Sequence, residues 1–520
     1  MAENKLIKNI SVMSFAILIS RIMGLVRDQV MAFCFGTTYL NDAFVVGYRI
    51  PNLLRSMFGE GALSAAFVPL YNEIGIKEGK RKQINFALQV LSILTFFLLI
   101  LTIIGIIFAP AIVKVLYPGL LPKTYKLAVI LTRIMFPYLL WIGLSSTMIA
   151  ILNSHDKFFM TGLSSALLNL GMILSMVIPR FVFHIEGEEL VRWAAVGVFG
   201  GGFLQTIINF PYLKQLGYPF KIMVKFGGEA LTTLWKRFLP SLVGVGVREL
   251  NLVADSLMAS FLAVGSISAL EYGYRLFQFP LGMFAISTGT VLLPTYSRLV
   301  TYDNYPELSK NLRIAMLNLT YLMLPITVLL MGLGKDVVQI LFQRGAFDAK
   351  ATLWTTQALI CYSLGLIFFS FNQTLTPLFY AHKDTRTPVR IAIRMVCLNI
   401  VLNFILMQFL QHRGLALATS ITAMVNFVIL LRLIHKEMPH IDFHGIFPNV
   451  LKTIVISVIM FVFLIITDHF YVATGLWMLI IKVIILSVSS IGLFYVLGLL
   501  FKLDYLKEAG TNLWKKFQKK

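Results

Sequence analysis

Charged side chains stand inside stretches that are otherwise hydrocarbon-like, and they are where chemistry could happen. Arg21, Arg27 and Asp28 fall in the first apolar stretch and Arg49, Arg55 and Glu60 in the second. Arg248 and Asp255 fall in the seventh, and Arg275 in the eighth. An arginine at the centre of a bilayer costs about 2.5–3.5 kcal/mol on insertion scales, so four or five facing lipid would cost on the order of 10 kcal/mol. That is comparable to the net stability of a whole protein. These groups are therefore expected to face protein or a water-filled cavity. Arginine exceeds acid over the first, second and eighth stretches together, and surplus positive charge in a cavity wants an anion. Guanidinium groups bind phosphate through paired, charge-assisted hydrogen bonds.

Each residue has a plainer reading beside that one. Arg27 and Arg49 lie in the outer third of their stretches, within snorkelling reach of headgroups. Arg21 and Asp28 are seven apart, about 20° around a helix, so they could neutralise each other, as could Arg248 and Asp255. Glu60 either pairs permanently with an arginine or releases it when an anion arrives. Asp255, with Asn399 and Asn403 four apart on one helix face and Thr419 at comparable depth, offers oxygen ligands for a monovalent cation such as sodium. The same asparagines could instead bond between helices.

The elements that must position these groups are membrane helices. The 520 residues are 58% hydrophobic and 13% charged, with a mean hydropathy of +0.81, too apolar for a soluble chain. Runs long enough to span, roughly 20 residues each, lie near 9–35, 42–71, 86–115, 126–152, 158–181, 191–212, 238–263, 267–297, 312–333, 353–379, 386–409, 413–434, 447–467 and 474–501. The fold class expected is an all-α polytopic membrane protein of about fourteen helices. The first stretch lacks a small-residue cleavage site and reads as a retained helix. The net charge of +21 sits in alternate connections (Lys77 to Lys82, Lys214 to Arg237, Lys383 and Arg386, and the terminal lysines), opposite an acidic HIEGEE at 184–189. That asymmetry reads as topology with both termini cytoplasmic, not as nucleic-acid binding. Cys34, Cys361 and Cys397 match no metal or redox spacing and read as packing residues, and no nucleophile elbow or phosphate loop is present.

The chain repeats itself. SRIMGLVRDQVMA at 20–32 aligns with VRELNLVADSLMA at 247–259, placing Arg21 on Arg248 and Asp28 on Asp255. Gly47-Tyr48-Arg49 then falls on Gly273-Tyr274-Arg275, Tyr71 on Tyr296 and His155 on His382. Six helices per repeat is an even number, so the two halves enter the membrane in the same sense, a parallel-repeat plan that recurs among transporters. The organisation expected is an N-terminal lobe over 1–225, a second lobe over 226–440, and two further helices with an amphipathic basic tail over 441–520. Pro51 and Gly59-Glu60-Gly61 break the second stretch, and broken helices at membrane depth line cavities. Gly24 and Gly200-Gly201-Gly202 permit bending or close helix approach.

SRIMGLVRD, FG, NDAF and RIPNLLRSMFGEGALSAAFVP at 49–69, with YRLFQFPLGMFAISTGTVLLP at 274–294, resemble the MurJ (MviN) lipid II flippases over the whole chain. The resemblance implies the multidrug/oligosaccharidyl-lipid/polysaccharide superfamily fold, residence in the bacterial inner membrane, and movement of the polyprenyl-diphosphate-linked peptidoglycan precursor. Alternating access would run through a cationic cavity between the lobes. It implies that Arg21, Arg27, Arg55 and Arg275 are cavity arginines, that Asp28, Asp42, Glu60 and Ser268 match other polar positions, and that the last two helices form a groove for the lipid tail. Arg49 stands where lysine is common in relatives, and Gln278 where some have an acid. Lipid II and membrane lipids are the partners implied, with other cell-wall synthesis proteins as further candidates. No cofactor is expected beyond a coupling cation or the membrane potential. A flippase for another polyprenyl-linked glycan shares this charge logic. A cation-coupled drug exporter would want an acidic cavity, a scaffold would not retain buried arginines, and an enzyme is not expected.

Overall fold

The computed structural model describes residues 2–57, 62–155, 157–219, 221, 223, 227–471 and 475–503. Among them every regular element is helical. The chain divides into two compact units, residues 1–268 with 344–348, and residues 269–343 with 349–520. The first unit holds α1 (Ala2–Phe35), α2 (Tyr39–Arg55), α3 (Ala62–Glu78), α4 (Lys80–Leu116), α5 (Pro122–Met135), α6 (Tyr138–Ser154), α7 (Phe158–Phe181), α8 (Gly187–Ile207), α9 (Phe210–Gln215) and α10 (Glu229–Ala259). Next come α11 (Ser266–Pro280), whose first turn belongs to the first unit, a π-helical turn over Leu281–Ile286, and α12 (Ser287–Thr301). The second unit continues with α13 (Tyr305–Gly332), α14 (Gly334–Phe342), α15 (Ala349–Ser363), α16 (Leu366–Ala381), α17 (Arg386–Leu410), α18 (His412–Glu437), α19 (Ile446–Phe470) and α20 (Leu476–Leu500).

Within the described residues the apolar stretches fall on helices, several of them broken. Among the described residues nine helices are long and apolar enough to cross a membrane, and eleven spans result when the bent pairs α5–α6 (41°) and α15–α16 (42°) each count as one. The stretches outside that set are α1, the α2–α3 pair and α10, where the charged residues concentrate. The outer faces are hydrocarbon-like: Ile107 is 61% exposed on α4, Phe404 61% on α17 and Val488 65% on α20.

Small residues set the closest packing. Gly171 and Ser175 on α7 meet Gly197 and Gly201 on α8, each pair spaced four apart so that one face of each helix is bare. A Cβ added at Gly201 would stand 2.7 Å from the Leu168 carbonyl oxygen, whereas one at Gly200 would meet nothing. Close backbone approach of this kind is how membrane helices gain dispersion contacts. The sequence repeat is also a packing repeat. Gly47 of α2 lies against Leu131 and Thr132 of α5, and Gly273 of α11 lies against Ala358 and Leu359 of α15.

The two helices beyond the repeat are tied into the second unit by charge as well as by apolar contact. Ile456, Met460 and Leu464 of α19 and Leu486 and Phe494 of α20 share a core with Leu317, Tyr321 and Val328 of α13. Above that core Lys482, buried on α20, places its ammonium 2.9 Å from Asp336 of α14 and 2.7 Å from Asp468 of α19.

Candidate functional site

Arg27 and Asp28 lie on the buried face of α1, and burial obliges both to find partners. Arg27 sends Nε (3.1 Å) and Nη2 (2.8 Å) to Asp28 Oδ1 and Nη1 (2.9 Å) to Asn169 Oδ1 of α7. Asn169 in turn donates to the Ser20 carbonyl at 3.3 Å. The guanidinium fork is thus a brace between α1 and α7. The alternative in which Arg21 neutralises Asp28 is corrected here: Arg21 is exposed, with no hydrogen-bond or ion-pair partner among the described residues, and Asp28 is held by its neighbour.

Asp42 and Ser268 come together. Asp42 accepts the backbone N–H of Gly265 (2.6 Å) and of Ser268 (2.9 Å) and the Ser268 hydroxyl (2.6 Å). A carboxylate taking the free N–H groups at the start of a helix is a cap favoured by the helix dipole, so this pair holds the beginning of α11. Arg49 of α2 donates to the Ser256 hydroxyl of α10. Arg55, at the end of α2 and half-buried, donates Nε to Asn52 Oδ1 at 2.8 Å. Glu60 and the side chain of Arg248 lie outside the described residues.

In the second unit Arg275 pairs with Glu271, one turn earlier on α11, at 3.1 Å, with side chains 34% and 20% exposed. Pro280, which lacks an N–H, is the last residue of α11, and the helical path continues as the π turn Leu281–Ile286. Such turns recur at functional positions in helices. Asn399 and Asn403 are buried on α17 and bond each other at 2.9 Å, while Thr419 bonds its own helix at Leu415. Asp255, half-buried, belongs to the first unit.

Sequence reasoning missed several partners. Glu271 was readable from its i, i+4 spacing to Arg275, and Lys482 as the one charged residue in the α20 stretch. Asn169 carried no signal, because its role follows from α1 packing on α7, 142 positions away.

A doubled helical plan, hydrocarbon-facing surfaces and arginines set within apolar helices define the class: a polytopic membrane protein. Residues 31–486 match the family described as lipid II flippase MurJ, and the chain belongs to that family. It is similar to a probable lipid II flippase MurJ of Buchnera aphidicola subsp. Acyrthosiphon pisum, 34% identical over 88% of this chain and 90% of the relative. The corresponding Vibrio cholerae protein is 35% identical over 84% of each. Among solved structures it resembles a lipid II flippase MurJ in an inward closed conformation, with a TM-score of 0.79 and 28% identity over 94% of this chain and 98% of that one. A multidrug resistance transporter of the MATE family within the MOP superfamily shares the fold, with a TM-score of 0.66 at 15% identity over 82% and 96%.

Proposed function

We infer that this protein carries lipid II from the cytoplasmic to the periplasmic leaflet of the bacterial inner membrane, by alternating access and without making or breaking a bond. The observation that carries the reading is the family match across residues 31–486. The placement of basic residues supports an orientation with both termini in the cytoplasm. Lipid II joins a diphosphate to a long apolar tail, and the arginines at depth suit the diphosphate through forked hydrogen bonds. Arg21, Arg27 and Arg55 of the first unit and Arg275 of the second are the groups proposed to bind it. Arg49, Asp28, Asp42, Glu60 and Ser268 support them. Arg21, exposed and unpaired among the described residues, is available as it stands. Arg27 must give up Asn169 or Asp28 to take a phosphate oxygen, so anion binding at that side chain loosens the α1–α7 brace. The apolar faces of α19 and α20 suit the tail.

The test is rescue of a cell depleted of its own lipid II flippase. The wild-type chain restores growth, and alanine at Arg21, Arg27, Arg55 or Arg275 abolishes rescue while the protein stays in the membrane. Lysine at those positions restores little, because it is a point charge and not a fork. A wild-type chain that inserts but does not rescue would overturn the substrate assignment, and fully active alanine variants would overturn the arginine roles.

A further inference from the structure

The repeat aligns Tyr71 with Tyr296 and His155 with His382, yet the two halves use these residues differently. In the first unit the hydroxyl of Tyr71, midway along α3, is hydrogen-bonded to Nε2 of His155 at 2.8 Å, just past the end of α6, and to the Tyr218 hydroxyl. In the second unit Tyr296 of α12 is fully buried, and its hydroxyl has no hydrogen-bond partner among the described residues. His382, just past the end of α16, has Nδ1 2.8 Å from the Leu378 carbonyl. A carbonyl only accepts, so Nδ1 carries the proton, and Nε2 of the neutral ring keeps a lone pair. One half thus shows the bond made, and the other shows its donor and its acceptor unjoined.

A buried hydroxyl without a partner is rare and disfavours the arrangement that leaves it so. The elements concerned lie against one another. α12 and α16 pack directly, and at Gly289 an added Cβ would stand 2.6 Å from the Gln373 carbonyl oxygen, so two backbones meet there with little side-chain interlock. The π turn just before α12 gives that helix a place to adjust its register.

We propose that Tyr296 and His382 are a latch between α12 and α16, open in the arrangement described here and closed, with the Tyr296 hydroxyl donating to His382 Nε2, in a second arrangement visited during transport. The second unit then alternates between two packings of α12 on α16, and the bond that Tyr71 makes to His155 is the template for the closed one.

The experiment uses the full chain in lipid vesicles, with its three native cysteines replaced and spin labels at exposed Arg298 and Lys383, one beside each partner. Two distance populations are expected. Tyr296→Phe removes an oxygen that bonds nothing in the present arrangement, so it folds, and it shifts the populations toward that arrangement on the order of tenfold. His382→Asn keeps a donor for the Leu378 carbonyl but lacks the distal acceptor, and it produces the same shift. The double variant shifts no further, because each change breaks the same bond. Unchanged distances in both single variants, shifts that multiply in the double, or a shift in the opposite direction would each overturn the latch. The distance measurement needs no substrate, so its outcome is independent of the lipid II assignment. Turnover that stays at the wild-type rate when the closed population is lost would remove the latch from the transport cycle.

Discussion

Replacing Lys482 with methionine removes the one cation between Asp336 and Asp468. Methionine fills similar volume, so the effect is electrostatic. The Asp336 pair is well buried, with side chains 9% and 14% exposed, and removing one member of such a pair costs about 3 kcal/mol because the remaining charge is stranded. The Asp468 carboxylate is 38% exposed, so water screens it and its pair adds at most about 1 kcal/mol. The sum, about 3–4 kcal/mol, corresponds to a fall of about 6–16 °C in the unfolding midpoint for a unit of this size. Thermal unfolding in mild detergent, followed by fluorescence, measures it. Adding Asp336→Asn to Lys482→Met removes the stranded carboxylate and should recover most of the loss, since a neutral site is often as stable as an ion pair. A single variant within about 1 kcal/mol of wild type, or a double variant no better than the single, would refute the reasoning.

Three further outcomes follow from the geometry. Gly201→Ala should destabilise the α7–α8 pair by about 1–3 kcal/mol, because its Cβ meets the Leu168 backbone, whereas Gly200→Ala meets nothing and should cost nothing; comparative unfolding decides. Asp384, in the turn before α17, accepts the N–H groups of Arg386 at 2.9 Å and Thr387 at 3.0 Å, and the Thr387 hydroxyl and amide bonds hold its carboxyl below the usual range. Its capping contribution, about 1 kcal/mol, is therefore present above the ordinary aspartate pKa and lost as pH falls through the lowered one; Asp384→Ala should abolish that acid dependence in amide exchange of the first turn of α17. A coupling-cation role for Asp255, Asn399, Asn403 and Thr419 predicts that transport at fixed membrane potential slows when sodium is replaced by a bulky organic cation and in Asp255→Asn; an unchanged rate in both would leave those groups structural.

The sequence made the helices legible because a bilayer demands long apolar runs, and within the described residues those runs fall on helices. The repeat was legible as well, down to Gly47 and Gly273 packing on equivalent neighbours. The partners of the charged residues were less so. A spacing within one helix finds Glu271 from Arg275, but it also suggested Arg21 for Asp28, where the adjacent Arg27 forms the pair. Contacts between helices such as Arg27 to Asn169 and Lys482 to Asp336 depend on which faces meet, and one sequence carries little trace of that. Gly200 and Gly201 are indistinguishable as letters, and packing alone separates them.

The π turn at Leu281–Ile286 has a consequence for anyone who draws this span as a wheel. Each residue of an α-helix advances roughly 100° around the axis, and a wide turn takes up about one residue more than the regular count. Everything after it is displaced by about that angle from the face a straight projection assigns. Arg275 lies before the turn and Tyr296 after it, so their mutual bearing is set by the bulge and not by their separation of 21 in sequence. Deleting a single residue from the wide turn would let α11 and α12 join as one regular helix and swing the whole of α12 about its axis, turning Tyr296 away from its present neighbours without altering any residue that touches them.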